Sequence, residues 1–319
     1  MSFKILGTGS CLPQRVVNNE ELSRFLDTSD EWISQRVGIS QRHVCTVETT
    51  ADLASKAAKA ALEMSGVSPL ELDFIICATV SSDNAAPSTA CLVQAMLGAG
   101  CPAMDINAAC SGFVYALETA AGFLARDAKR VLVIGAERLT KLIDWSDRGT
   151  AVIFGDGAGA MVLGDGNAYI ASKLFARGGD AVLHIPNYAG DSPFYENKSS
   201  EPYIRMNGQE TFKFAVKSMC ADLTDVVAAA GLEMDDIAWV IPHQANARII
   251  DAAVRKLGIA PERCLKNIES VGNTSAASVA IVADELWRSG KLKDGDYIAI
   301  SCFGAGLTSA ACVIQWGML

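Results

Sequence analysis

The sequence predicts an α/β protein of two similar halves, residues 1–165 and 166–319. Three observations predict it. Short apolar runs bounded by turn formers alternate with alanine-rich or amphipathic stretches at helical spacing. The order of these elements repeats along the chain: the apolar run 74–79 corresponds to the run 239–242, and the turn at Cys110 to the turn at Asn273. Each of those turns precedes a helix and then a further strand. Finally, 50% of the residues are hydrophobic and 20% charged, a balance that supports a large core and argues against disorder. A repeated β-α-β order implies mainly parallel strands.

Taken in order, residues 4–9 read as a first strand, closed by Gly7, Gly9 and Pro13. Residues 18–22 and 28–33 read as helix starts, with capping Asn or Ser and acidic residues in the first turn. Residues 50–65 form an alanine-rich helix ending at Gly66, and 74–79 a buried strand. Pro87 opens the next helix, which runs to about Leu97. Residues 103–113 carry a short strand, a tight turn of small residues at Cys110, and the start of a helix with the apolar density of a core element. Residues 130–137 and 159–163 are further strands. The polar stretch 178–200 reads as a surface excursion. In the second half, 208–230 is a long amphipathic helix and 239–242 a strand ending at His243. Residues 245–257 are a helix closed by Gly258, and Asn273 precedes a helix over 276–288. Residues 297–303 are a strand, followed by a glycine turn and a last strand over 310–315.

The net charge of -9 gives no overall attraction to nucleic acid or to an anionic membrane. The N-terminus has no charged leader followed by an apolar run, and no stretch is apolar enough to span a bilayer, so a cytoplasmic protein is expected. The ten cysteines include no C-x-x-C spacing. That fits reduced core thiols better than a disulfide framework or a zinc site, and no metal is expected.

On the pairing of the halves, Cys110, His243 and Asn273 all lie where strands end and helices begin, the edge where open α/β sheets bind ligands. A cysteine at a helix start lies near unpaired N–H groups and the positive end of the helix dipole, both of which favour the nucleophilic thiolate. Such a nucleophile needs a histidine. Of the three histidines, only His243 stands at a strand-to-helix junction; His43 and His184 read as structural or surface groups. Asn273 is a candidate amide donor to a carbonyl, and Phe303-Gly304-Ala305-Gly306 offers backbone N–H groups to an oxyanion. Each has a plainer alternative: a core thiol, a capping imidazole, an N-cap, a tight turn. The glycines at 7–9 and 155–159 lack the context of a phosphate loop.

At these residues the chain resembles the thiolase superfamily, most closely the β-ketoacyl-acyl carrier protein synthase III family. The matching motifs are TSDEWISQRVGISQRH (28–43), DINAACSGF (105–113), DRGTAVIFGDGAG (147–159), HQAN (243–246), GNTSAAS (272–278) and FGAG (303–306). They follow the family's order over essentially the whole chain. The resemblance implies a five-layered α-β-α-β-α fold of two thiolase-like halves, working as a homodimer. It implies a Cys110–His243–Asn273 triad, with the N–H groups of Cys110 and Ala305 as the oxyanion hole. It places Trp32 and Arg148 about the adenine of coenzyme A, with Thr28, Arg36 and Asn246 along the phosphopantetheine tunnel. Phe303 and Ala86 would line the acyl pocket, Ala86 from the partner subunit. Two departures stand out. Ala305 replaces a glycine common in the family, which a backbone donor tolerates if φ is negative. Ala86 is small where acetyl-preferring members carry a bulky aromatic, which leaves room for longer or branched primers.

The implied reaction is a decarboxylative condensation of an acyl-CoA with malonyl-acyl carrier protein through an acyl-Cys110 intermediate, initiating fatty acid synthesis. No cofactor is implied beyond the thioester substrates. An acidic carrier protein would need a basic patch, for which Lys213, Arg248 and Lys256, with Lys217 and Arg255, are candidates; the usual alternative is a solvated face. An acyltransferase of secondary metabolism on the same fold is the main competing reading. A non-catalytic acyl-CoA-binding module and a peroxide-sensing thiol protein are the others.

Overall fold

The computed structural model describes residues 2–186, 193–194 and 201–317. Much of the polar stretch 178–200 therefore lies outside the described residues. The first half runs β1 (Ser2–Cys11), β2 (Val16–Asn18), α1 (Asn19–Leu22), α2 (Asp30–Val37), β3 (Gln41–His43), α3 (Thr50–Ser65), β4 (Phe74–Ala78), α4 (Thr89–Leu97), β5 (Ala103–Ile106), α5 (Gly112–Leu124), β6 (Arg130–Arg138), α6 (Arg148–Ala151) and β7 (Asp156–Gly166). The second runs β8 (Tyr169–Ala176), β9 (Leu183–His184), β10 (Arg205–Met206), α7 (Gly208–Ala229), β11 (Ile237–Pro242), α8 (Ala247–Leu257), α9 (Ile268–Val271), α10 (Ser278–Arg288), β12 (Tyr297–Gly304) and β13 (Thr308–Gln315).

Two sheets dominate, with strand orders β1-β7-β6-β4-β5 and β11-β12-β13-β8. Read from the first strand of each half, the two orders coincide; in the second sheet the fifth strand has shrunk to a single bridge between Val240 and Cys264. The expectation of mainly parallel strands is corrected. Pairs β4–β5, β4–β6 and β11–β12 are parallel, but β1–β7, β6–β7, β12–β13 and β13–β8 are antiparallel. The connection from β12 to β13 is residues 305–307 alone, too short for a parallel crossover.

Helices α3 and α4 pack on the outer face of the first sheet, through Leu53, Ala57, Ala61 and Val93. Helices α7 and α8 cover the outer face of the second. Between the sheets lie α5 and α10, whose Phe113, Leu117, Val279 and Leu286 meet strands of both. This is the five-layered arrangement. Glycines let the layers close up. A Cβ on Gly7 or Gly9 would come 2.5 Å from the Ala61 carbonyl or 2.3 Å from that of Ala57. These glycines therefore lie inside a strand that continues to Cys11, correcting the expectation that they end it: α3 rests directly on them. Gly135 and Gly159, paired across β6 and β7, admit the start of α10 in the same way.

Local signals set the helix ends. Thr49 and Asp52 form a capping box at α3, and Gly66 and Gly258 close α3 and α8 in the left-handed conformation. Two starts differ from expectation. Ser88, not Pro87, opens α4, since its hydroxyl accepts from the Cys91 N–H. Asn246 caps α8, so that helix begins at Ala247.

The repeat is finest at the entrances to α5 and α10. Asn107 Oδ1 accepts from the Ala109 N–H at 3.1 Å, and Asn273 Oδ1 from the Ser275 N–H at 2.8 Å. Ala109 and Ser275 then both adopt φ 48°, a single 3-10 turn follows, and the helices begin at Gly112 and Ser278. The counterpart of Asn273 is thus Asn107, and that of Cys110 is Ala276. Positive φ at a residue with a Cβ costs about 1–3 kcal/mol, which the side-chain hydrogen bond helps offset.

Candidate active site

The two equivalent turns meet at the floor of a cavity of about 630 Å³. Cys110, His243, Asn273, Phe303 and Gly304 line its depth, and Trp32, Arg36, Asn246, Lys213 and Arg248 also line it. Nine of the residues singled out from the sequence thus share one chamber: Cys110, His243, Asn273, Phe303, Trp32, Arg36, Asn246, Lys213 and Arg248.

Cys110 sits in the 3-10 turn just before α5. Gly304, at the end of β12, lies against it: a Cβ there would stand 2.7 Å from the Cys110 nitrogen. The thiol is pushed up to about 12, mainly by burial and further by Glu137, while the Ser275 hydroxyl and its own N–H pull the other way. This corrects the expectation of a ready thiolate. The helix start favours the anion, but removal from water outweighs it, and Cys110 rests as a thiol.

His243 ends β11, and its backbone N–H donates to the Ser301 carbonyl at 2.7 Å. Nδ1 lies 2.7 Å from the Ser278 hydroxyl, the first residue of α10, and Nε2 is buried without a partner. The Phe303 ring packs edge-on at 5.2 Å between centroids. Burial pushes the imidazole down to about 3, so it is neutral near pH 7. The Ser278 hydroxyl can donate to Nδ1, and in that tautomer the ring proton sits on Nε2, facing the cavity as a donor.

Asn273 is clamped on both sides. Its N–H donates to the Ile153 carbonyl and its carbonyl accepts from the Gly155 N–H, both at 3.0 Å. With Oδ1 held by Ser275, the amide NH2 is the end left for a ligand. Neither Ser278 nor this role of 153–155 is visible in the sequence, because both partners lie far away along the chain. Gln244 was also passed over. It is fully buried; its amide donates to the carbonyls of Pro242 and Leu265 and accepts from the N–H groups of Asn267 and Ile268, fixing the strand end that carries His243.

The remaining candidates divide. Arg148 and Arg36 both lie over the Trp32 ring, at 5.1 and 5.6 Å from its centroid, and Arg148 also donates to Asp27. Asn246 donates to the Arg36 carbonyl, joining α8 to α2. Arg148, Thr28, Ala305, Ala86 and Lys256 do not line the cavity. Thr28 keeps a buried, unpartnered hydroxyl in the chain segment that enters α2. Ala305 has no positive φ, and its carbonyl accepts from Thr308 Oγ1, which also lies 3.1 Å from the Ala108 carbonyl. Ala86 is exposed on the outer surface. Lys256 is eight residues beyond Arg248 on α8, about 12 Å along the axis, hence off the rim. Among the described residues no group of three or more His, Cys, Asp or Glu could hold a metal ion, and no helix is long and apolar enough to cross a membrane.

Comparison with known proteins finds relatives over nearly the whole chain. Residues 104–178 match the model of the 3-oxoacyl-[acyl-carrier-protein] synthase III family, and 227–316 the model of that family's C-terminal part. A β-ketoacyl-[acyl-carrier-protein] synthase III of Clostridium acetobutylicum is 45% identical over 321 residues, covering 99% of each chain. The chain belongs to the 3-oxoacyl-[acyl-carrier-protein] synthase III family. It is therefore a condensing acyltransferase with the thiolase-like fold, of the kind that initiates fatty acid synthesis. The solved synthase III of Aquifex aeolicus superposes with a TM-score of 0.93 at 45% identity, over 99% of this chain and all of the other. The priming β-ketosynthase of the R1128 polyketide pathway also reaches 0.93, at 34% identity, over 99% of this chain and 96% of the other.

Proposed function

We propose that this synthase III works through an acyl-Cys110 intermediate. Cys110 attacks the thioester carbonyl of an acyl-CoA, the N–H groups of Cys110 and Ala305 receive the oxyanion, and coenzyme A leaves. Malonyl-acyl carrier protein then enters the same cavity. Loss of CO2 leaves an enolate on the thioester oxygen, to which His243 Nε2–H and the Asn273 amide donate. The carbanion attacks the acyl-cysteine and releases 3-oxoacyl-acyl carrier protein. The observation that carries this reading is the pair of donors beside the thiol: a neutral imidazole with unpartnered Nε2, and an amide whose oxygen is already held. Both are pre-oriented donors rather than bases, which suits a developing enolate. These groups and the backbone supply every role, so we expect no metal or redox cofactor.

We assign Trp32, Arg36 and Arg148 to the adenine end of coenzyme A, and Thr28 and Asn246 to the pantetheine. Lys213, Arg248 and Lys256 are read as the carrier-protein surface, and Ala86 as a lining residue of a partner's acyl pocket in a cytoplasmic homodimer. Asn273→Ala tests the division of labour. Acyl transfer to Cys110 should persist while decarboxylation falls by roughly 10²–10³-fold; equal loss of both steps would contradict it. The likeness to a polyketide priming ketosynthase keeps a second reading, condensation in a specialised pathway. Turnover across acyl-CoA lengths and with different malonyl-carrier proteins separates the two.

A further inference from the structure

One buried acid has no part in the reaction described so far. Glu137, near the end of β6, has no exposed surface. Its carboxylate accepts from the Val80 N–H at 3.2 Å and from the hydroxyls of Thr79, at 3.3 Å, and Ser81. It shares a strand face with Gly135, two residues before it, and a Cβ on Gly135 would come 2.5 Å from the Ala276 carbonyl. Opposite Glu137 on β7 stands Gly157, where a Cβ would come 3.4 Å from Thr274 Cγ2, so the segment entering the turn over 275–277 packs on the same pair of strands. The carboxyl thus faces the turn over 274–276, whose Ser275 hydroxyl and Ala276 N–H both favour its charged form. Ser275 is 2% exposed; its hydroxyl makes no full hydrogen bond at rest, but it is near enough to Cys110 and to Glu137 to favour the charged form of each. An orphaned, rotatable O–H between a thiol and a carboxylate can pass a proton either way.

We propose that Ser275 relays the Cys110 thiol proton to Glu137, which stores it while the cysteine is acylated. In the first half-reaction the Cys110 S–H proton moves to the Ser275 oxygen as the Ser275 proton moves to the Glu137 carboxylate. The sulfur forms its bond to the acyl carbon, the carbon–sulfur bond to coenzyme A breaks, and the coenzyme A thiolate takes a proton from water. In the second, the malonyl carboxylate leaves as CO2 and the carbanion displaces Cys110 as a thiolate. The stored proton returns from Glu137 through Ser275, restoring thiol and carboxylate. The cycle consumes one solvent proton, as loss of a carboxylate to CO2 requires. His243 is a poor acceptor for the thiol proton, since burial opposes its cationic form. Burial raises the Glu137 carboxyl to about 7, a value suited to accepting and returning a proton near neutrality. The other groups that can charge near it are the thiols of Cys77 and Cys110 and the ammonium of Lys141, while Arg138 and Asp156 occupy the alternate face of their strands.

The inference rests on acyl-Cys110 being the intermediate. It is tested by rapid-quench mass spectrometry of acyl-enzyme formation from acyl-CoA between pH 5 and 9. The wild-type rate should climb with Glu137 ionisation to a plateau. Glu137→Gln and Ser275→Ala should each slow acylation by about a hundredfold or more and replace the plateau with a continuous rise. CO2 release from malonyl-carrier protein, measured in the Cys110→Ala background, should survive both changes. Unchanged acylation profiles would overturn the relay, as would equal loss of acylation and decarboxylation. Ser275→Ala decides alone if Glu137→Gln does not fold. No acyl-Cys110 in the wild type would instead defeat the functional reading itself.

Discussion

Two buried groups beside the nucleophile give opposite pH signatures. His243 falls from 6.5 to about 3 on folding, so the folded protein binds fewer protons there than the unfolded chain and loses stability as pH drops from 6.5 toward 3. Glu137 rises from 4.5 to about 7, so its contribution is present below 4.5 and is lost as pH climbs through 7. The slopes oppose one another between about 4.5 and 6.5. Glu137→Gln cannot ionise. Its melting temperature relative to wild type should therefore rise from pH 5 to pH 8, by the equivalent of up to about 3 kcal/mol; a constant difference would mean that the acid is not protonated in the folded state. Cys110, His243 and Asn273 were legible because each stands in a short motif at a strand end. The resting thiol was not. A helix start is a local signal, whereas burial is a property of everything packed around the residue. Glu137, Ser275 and Ser278 stayed hidden for the same reason: an acid inside a strand and serines in a helix start acquire meaning only from neighbours far away in sequence.

Among the elements, the entrances to α5 and α10 hold the site. Each uses an Asn side chain to pull in a backbone N–H two residues on, and each passes through a strained φ of 48°. One entrance delivers the nucleophile, the other the Asn273 amide. Their contact depends on glycine-lined strands. Gly135→Ala should push the turn at Ala276 away from β6, costing about 1–3 kcal/mol or more in denaturant unfolding, because the neighbour is backbone and cannot rotate aside. An unchanged unfolding midpoint would mean that the two layers are not in register as described. Helix ends at Gly66 and Gly258 could be read directly, since a cap is set by a few adjacent residues. The glycines of β1 were misread as terminators because what requires them is α3 lying across the strand. Strand direction was misjudged likewise: apolar runs look alike whether the next strand returns by a crossover or by a tight turn.

At the scale of the whole molecule, the duplicated sheets bring one strand edge from each half to a single cavity, and the surface around its mouth decides what enters. The net charge of -9 gives no general attraction for an acidic carrier protein, so recognition must be local. Lys256, exposed and off the rim, separates carrier docking from coenzyme A binding. Lys256→Glu should raise the KM for malonyl-carrier protein several-fold at low salt and leave acyl-CoA loading unchanged, with the difference shrinking as salt is added. Equal effects on both substrates would remove it from a docking role. Ala86→Phe should narrow the primer range to short acyl-CoAs if a partner's pocket receives this residue, and leave the range unaltered if it does not. The account as a whole turns on one covalent bond. Incubation with acyl-CoA in the absence of malonyl-carrier protein, followed by peptide mass spectrometry, should place one acyl group on the peptide containing Cys110. An acyl group on any of the other nine cysteines, or on none while coenzyme A is still released, would contradict it.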